Sequence, residues 1–276
     1  MTAPGKLYIC ATPIGNIEDS STRLADTLRH VGLIAAEDTR VTQALLAHFQ
    51  IRTPLISLQK YNEFARTKRI IDTLNTGVDV AVVSDAGTPN IADPGAILVQ
   101  KVRAEGLDII PIPGPCSLAT FISVSGILAN QFIFGGFFPK KNQQATALIR
   151  SAGTNNVPIV FFETAKRLMD TLAWLKETTP VMTISLGKEL TKKFEFIMSG
   201  SLDEIHTDLV QHSDRLKGEW CMMFTVEPTP PYQAETVVSE LRELGLTSQQ
   251  IMAVSTRYLD LARNTIYDHL HTSAGN

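Results

Sequence analysis

Apolar residues in the N-terminal part of the chain fall in short runs separated by amphipathic stretches. Lys6 to Ala11 reads as a buried strand ending in Thr12-Pro13-Ile14-Gly15-Asn16, and Leu24, Leu28 and Val31 share one face of a following helix. Leu33 to Ala36 reads as a second strand, with helices after it over about Val41 to Phe49 and Glu63 to Leu74. Asp79 to Ser84 is a third strand, in which Val80, Val82 and Val83 are β-branched, and Leu107 to Ile112 is a fourth. Between them, Asp93 and Pro94 read as the N-cap and first position of a helix. Strands and helices taking turns in this way predict a mostly parallel sheet with helices on both faces.

The rhythm changes after Pro113-Gly114-Pro115. A helix over about Ser117 to Ser125 is followed by strands at Phe132 to Phe138, Pro158 to Phe162, Val181 to Leu186, Phe194 to Ser199 and Glu219 to Val226. Only two long helical patterns separate them, Ala165 to Glu177 and Leu202 to His212, and the second opens on the capping box Ser201-Leu202-Asp203-Glu204. Strands that outnumber helices predict a mixed sheet. Pro228, Pro230 and Pro231 mark Glu227 to Gln233 as a linker. Helices are expected beyond it at Ala234 to Leu244, after a capping box at Thr247 and Gln250, and at Arg263 to His271. The two helices after Gly245-Leu246-Thr247 have a helix-turn-helix layout, but packing on the second domain is the expected role. The fold class is therefore α/β: two α/β domains, residues 1–120 with a mostly parallel sheet and 121–229 with a mixed one, and a short helical appendage over 230–276.

A chain of 276 residues has room for two ordinary domains, and its 44% apolar and 19% charged residues are globular values. Its net charge of −3 changes the picture more. A protein that grips bare nucleic acid by charge carries a basic excess. A nucleic-acid substrate must here be met by a local basic patch or as a shaped particle. Cys10, Cys116 and Cys221 are odd in number and far apart, which excludes a disulfide framework and a zinc cluster. The six histidines are scattered, and no metal is expected. No membrane-length apolar run and no signal peptide are visible, so the cytoplasm is the expected compartment.

Ligands of open parallel sheets sit beyond the carboxyl ends of the strands. Four such turns are rich in Pro, Gly and small polar residues: Ala11 to Asn16, Glu37 to Arg40, Ser84 to Pro89, and Pro113 to Ser117. Gly87 permits close backbone approach to a ligand, and Asp85 puts a carboxylate where an apolar strand ends. Each acid alone is equally readable as a cap or turn residue; together the four turns would line one sheet edge. Dinucleotide, P-loop and Ser-elbow fingerprints are absent. Lys140-Lys141, Arg167 and the loop Gly187 to Lys193 give the second domain basic groups suited to phosphate.

The stretches LYICATPIGNIED, EDTR, SDAGTPNIADPG, PIPGP, FGGFFPKK, FFETAKR, KELTKKFEF and GEW run from Leu7 to Trp220. In combination they resemble the tetrapyrrole methylase superfamily, and within it the ribosomal RNA small subunit methyltransferase I group. The resemblance implies S-adenosylmethionine bound between two α/β domains, usually in a homodimer. It implies 2′-O-methylation of a cytidine ribose in 16S ribosomal RNA near the decoding centre. The family's cofactor positions match Pro13, Asp85, Gly87, Thr88, Cys116, Ser117 and Phe162. Cys116 and Ala92 stand where many relatives have serine. A first turn reading ATPIGN, in place of G-x-G-P-G-D, favours the RNA branch over methylation of a uroporphyrinogen or precorrin-type acceptor; a non-catalytic ribosome-binding module is the other alternative. A ribose hydroxyl needs a base. Glu37 and Glu189 are the candidates, with Lys188 or Lys192 to lower the hydroxyl's pKa or hold phosphate. Arg40, Lys140, Lys141, Lys192 and Lys193 are the RNA-binding candidates, and the 30S subunit is the expected substrate particle.

Overall fold

The computed structural model of the chain describes residues 3–229, 234–259 and 261–272. Its first sheet comprises β1 (Leu7–Cys10), β2 (Leu33–Ala36), β3 (Leu55–Ser57), β4 (Val80–Val83) and β5 (Ile109–Ile112). The order is β3-β2-β4-β1-β5, and every pair is parallel. Helices α1 (Thr22–His30) and α2 (Thr39–His48) cover one face, where Leu24, Leu28 and Leu46 meet Cys10, Ala81 and Val83. Helices α3 (Glu63–Asn75) and α4 (Ala96–Ala104) cover the other, where Ile70, Leu74, Leu98 and Val102 meet Leu7, Val80 and Val82. Successive side chains of β4 thus serve opposite cores, which is why the strand is apolar throughout.

Two sequence expectations for this domain need correction. The edge strand β3 has only three residues, too few to show an alternation. Helix α4 starts at Ala96, with Gly95 at φ 126° as its cap residue, so Asp93 and Pro94 belong to the preceding turn. The cap comes from elsewhere: the buried Glu63 Oε1 accepts from the backbone N–H groups of Gly95 (3.0 Å), Ile97 (2.9 Å) and Leu98 (3.3 Å).

The second sheet follows α5 (Ser117–Val124) and comprises β6 (Ile133–Phe137), β7 (Ile159–Thr164), β8 (Val181–Lys188), β9 (Phe196–Gly200) and β10 (Glu219–Val226). Its order is β6-β7-β10-β8-β9, with β6–β7 parallel and the other pairs antiparallel. Three helices accompany it, not two: α6 (Asn142–Asn155), α7 (Ala165–Thr178) and α8 (Leu202–Gln211). The pattern hid α6 because its buried Ala145, Ile149 and Ala152 stand among Gln, Ser, Thr and Asn. The capping box at Ser201 and Glu204 is formed. Helix α5 packs Phe121 against Val160, Cys221 and Met223, and Ile14 of the first domain joins the same cluster, so an apolar contact ties the domains together.

The C-terminal helices are α9 (Ala234–Glu243), α10 (Ser248–Tyr258, with the capping box at Thr247) and α11 (Arg263–Thr272). They enclose their own core of Val237, Val238, Ile251 and Ile266. Of the expected linker, residues 230–233 lie outside the described part. Among the described residues no helix is long and apolar enough to cross a membrane.

Candidate active site

The strand order explains why the four turns meet. Strands β2, β4, β1 and β5 are consecutive neighbours and parallel, so the turns leaving their carboxyl ends stand side by side. The turn after β4 is the hub. Thr12 and Gly87 exchange backbone hydrogen bonds (2.9 and 3.1 Å), which joins it to the turn after β1. The Thr88 hydroxyl donates to Pro115 O (3.0 Å), joining the turn after β5. The Asp38 N–H donates to Asp85 Oδ1 (2.8 Å) and the Asp85 N–H to Glu37 Oε2 (3.4 Å), joining the turn after β2. Gly87 has φ 81°, and a Cβ there would stand 3.1 Å from Ile14 Cγ2.

This edge faces β7, the end of β8 and the start of β10 across a cleft of about 370 Å³. That volume lies within the ~300–1,000 Å³ of small-molecule sites. One wall carries Glu37, Asp85, Gly87, Thr88 and Asp93; the other carries Phe162, Glu189, Leu190 and Trp220, with Cys116 and Ser117 also lining the cavity. Phe162 is fixed edge-on between Phe134 and Phe137. Below it the Glu163 side chain is wholly buried, accepting from the Thr164 N–H (2.7 Å) and the Thr171 hydroxyl (2.8 Å), with Arg167 at 3.4 Å. Arg167 also donates to Phe138 O (2.9 Å), which pins the corner after β6 to the end of β7.

The acids of the first wall are short of positive charge. Burial raises the Glu37 pKa, and Asp93 and Asp85 add to the rise against a backbone hydrogen bond from Asp85 and the charge of Lys60. Burial likewise raises Asp93, and Asp85 adds to it, while Ser84 and Lys60 work against it. Three carboxylates gathered along one wall form a site for a cation. Glu189 is different. Burial would raise it, but the Glu219 backbone N–H (3.0 Å) and the Lys192 ammonium (3.1 Å) bring its pKa down overall.

A second groove, of about 430 Å³, adjoins the cleft and is walled by Pro13, Gly15, Ile17, Val41 and Leu45. Ile14, Asp85, Ala86, Lys192 and Glu219 line both spaces and form the partition between them. Lys192 is held there by Glu189 and by Glu219 (3.2 Å). The Asn16 N–H donates to the Thr191 hydroxyl (3.1 Å), and a Cβ on Gly15 would stand 2.3 Å from Lys192 Cγ. The loop after β8 is thus seated directly on the first turn.

The structure brings Asp85, Gly87, Thr88, Cys116, Ser117 and Phe162 to the cleft together with Glu37 and Glu189, and puts Pro13 in the second groove. Lys188 is not in the cleft wall. Its ammonium turns inward, donating to Arg215 O (2.7 Å) and lying 5.7 Å from the centre of the Trp220 ring. Arg40 is exposed and ion-paired to Asp38, whose pKa that hydrogen bond brings down to about 2. Lys140 and Lys141 are exposed at the corner after β6, and the Lys193 ammonium lies over the Phe194 ring. Sequence reasoning missed Ile14, Glu219 and Trp220 as lining residues, and Glu63 as the anchor of the loop that lines the first wall. Ile14 and Trp220 lay inside recognised stretches; for Glu63 the only signal was an acid in a first helical turn.

Comparison with known proteins agrees with this geometry. Residues 6–206 match the model of the tetrapyrrole (corrin/porphyrin) methylases. A ribosomal RNA small subunit methyltransferase I of Xylella fastidiosa is 41% identical over 224 residues, covering 81% of this chain and 82% of that protein. The protein of the same name from Synechocystis is 37% identical over 270 residues, covering 95% and 96%. A crystal structure of diphthine synthase superposes with a TM-score of 0.66 at 12% identity, over 80% of this chain and 90% of that one, which attests the fold. The chain belongs to the tetrapyrrole (corrin/porphyrin) methylase family, in its ribosomal RNA small subunit methyltransferase I group.

Proposed function

We propose that the chain methylates the 2′-hydroxyl of a cytidine in 16S ribosomal RNA near the decoding centre, with S-adenosylmethionine as donor and the 30S subunit as substrate. The observation that carries this reading is the pair of spaces sharing one partition: a cleft of cofactor size beside a more open groove. The relatives' names supply the substrate class. A homodimeric working unit, as the resemblance implies, and a cytoplasmic location belong to the same reading.

The cleft suits S-adenosylmethionine on chemical grounds. Glu37, Asp85 and Asp93 offer negative charge to its sulfonium and ammonium, while Ile14, Leu190 and Phe162 offer apolar surface to its base. Gly87 leaves room where any side chain would crowd Ile14. When bound, that cofactor supplies a methyl group on a good leaving group. The chain's residues do the rest. The stitched turns hold a fixed wall, so little reorganisation is needed on binding. Ile14, Ala86 and Lys192 shape the opening through which the ribose reaches the cleft, and Lys192 offers its charge to the adjoining phosphate. Glu37 accepts the hydroxyl proton, because its raised pKa makes it a better base than Glu189, which is engaged by Lys192 and the Glu219 N–H.

The test is incubation with labelled cofactor and 30S subunits, free 16S RNA or a uroporphyrinogen-type acceptor, followed by mapping of the modified nucleotide. Label on one cytidine ribose of 30S subunits is the expected result. Transfer to the tetrapyrrole alone, or to a base atom, refutes it.

A further inference from the structure

The stretch from Lys60 to Arg69, at the start of α3, has a composition that folding does not require. The buried face of α3 is Glu63, Thr67, Ile70 and Leu74. Phe64 points away from it with 78% of its surface exposed, and Tyr61 is 85% exposed. Among the described residues these are the two most exposed aromatic side chains. Lys60 precedes Tyr61 in the chain, Lys68 stands one turn beyond Phe64 and Arg69 lies on the outward side of α3, whereas Arg66 is on the flank opposite Phe64. The one acid of the stretch, Glu63, turns inward onto α4, and Asp72 pairs with Lys68 (2.8 Å). The outward face is thus aromatic and cationic, on a chain of net charge −3 whose cleft is acidic.

This face borders the candidate active site. The Lys60 ammonium donates to Ala92 O (3.2 Å), and Ile91, Ala92 and Asp93 line the cleft. Across the cleft, the loop that supplies Lys192 carries a matching pair, with Lys193 over a 68% exposed Phe194. Exposed rings interleaved with cations suit single-stranded nucleic acid: bases stack on the rings and phosphates meet the cations. A second copy of the chain suits the face poorly, because a two-fold contact would set the same cations against each other.

We propose that Tyr61 and Phe64 stack on bases of the ribosomal RNA strand flanking the acceptor nucleotide, while Lys60 and Arg69 contact its phosphates. This rests on the RNA reading above. The test uses the full chain with 30S subunits and the double variant Tyr61→Leu/Phe64→Leu, which keeps apolar bulk and removes the rings. Stacking on one base is worth roughly tenfold in affinity, so KM for 30S subunits should rise about tenfold or more. The affinity for S-adenosylmethionine and the rate at saturating 30S should stay unchanged. Tyr61→Phe/Phe64→Tyr should behave as wild type. Lys60→Gln/Arg69→Gln should lower the slope of log affinity against log salt by about 0.7 for each phosphate no longer neutralised. An unchanged KM in the leucine variant overturns the inference while leaving the methyltransferase reading intact. A changed sedimentation coefficient overturns it in favour of an interface between copies. Failure of the wild type to methylate 30S subunits overturns the reading beneath it, and this inference with it.

Discussion

Replacing Glu63 by alanine isolates what a residue outside the cleft does for it. One carboxylate oxygen holds three N–H groups at the start of α4, and through them the end of the loop that carries Gly87, Thr88 and Asp93. The bonds to Gly95 and Leu98 are buried and that to Ile97 is partly buried. An unpaired buried donor costs about 1–3 kcal/mol, so two would cost about 2–6 kcal/mol; the Ile97 N–H, which water can reach, adds little, and partial relaxation of the loop favours the lower half. A loss of about 3 kcal/mol is therefore expected, or roughly 6–12 °C in Tm for a domain-sized unit. Glu63→Gln keeps an acceptor but gives up charge assistance, for about 1 kcal/mol.

The same loosening should reach the cofactor. If about 1.4 kcal/mol of loop ordering must be recovered on binding, Kd for S-adenosylmethionine rises about tenfold in Glu63→Ala, and Glu63→Gln falls between it and wild type. Thermal unfolding and titration calorimetry on the three proteins give both quantities, and hydrogen exchange at Gly95 to Leu98 localises the change. Alanine with wild-type Tm refutes the cap. A lowered Tm with unchanged Kd refutes the link from cap to cleft.

Three further substitutions probe other parts of the site. Glu37→Gln should lower single-turnover methylation about 10²–10⁴-fold and remove the acid limb of the wild-type pH profile. Because the folded protein raises the Glu37 pKa, its ionisation opposes folding: the favourable contribution is complete below the unfolded carboxylate pKa and is lost as pH rises through the folded one. The cofactor-free Gln variant should therefore melt higher than wild type at neutral pH, and a lower Tm would contradict that sign. Gly15→Ala sets a Cβ 2.3 Å from Lys192 Cγ and should cost about 1–3 kcal/mol while raising KM for 30S subunits, read by denaturation and steady-state kinetics. Lys188→Met orphans Arg215 O at about 1–3 kcal/mol and should leave the single-turnover rate unchanged; a large loss of rate would return Lys188 to the chemistry.

Both sheets and the four turns were legible because they obey local rules. Val80 to Val83 announces a buried strand, and Pro and Gly punctuate three of the four turns, the exception being Glu37 to Arg40. What escaped was written in small or mixed signals. The three residues of β3 cannot display a period, and Ala145, Ile149 and Ala152 of α6 are spaced correctly but diluted by polar neighbours. Lys188 looked chemical because it stands beside Glu189 in KELTKK, but it is the buried last residue of β8, whereas Glu189 leaves the strand at φ 49°. Glu63 could not be found at all, since its partners lie 32 to 35 residues away and are backbone atoms with no sequence of their own.

That last point bears on how this fold can change its substrate. The wall of four turns follows from strand order, and its double stitch, between Thr12 and Gly87, is backbone to backbone. Such a wall survives extensive substitution, and the 12% identity at which diphthine synthase still superposes shows how far the scaffold tolerates it. The residues of the partition have another origin. Ile14 comes from a turn and packs into a cluster with the second domain, while Lys192 from the loop after β8 and Glu219 from the first position of β10 hold each other by an ion pair, so each is placed by side-chain contacts. Contacts of that kind alter with a single substitution, as the fit of Gly15 under Lys192 illustrates. Exchange of acceptor specificity between relatives should therefore follow residues 12–17, 60–69 and 189–195, and grafting these segments between two members, with Ile14, Glu63, Glu189 and Leu190 retained, should move the acceptor while leaving affinity for the methyl donor in place.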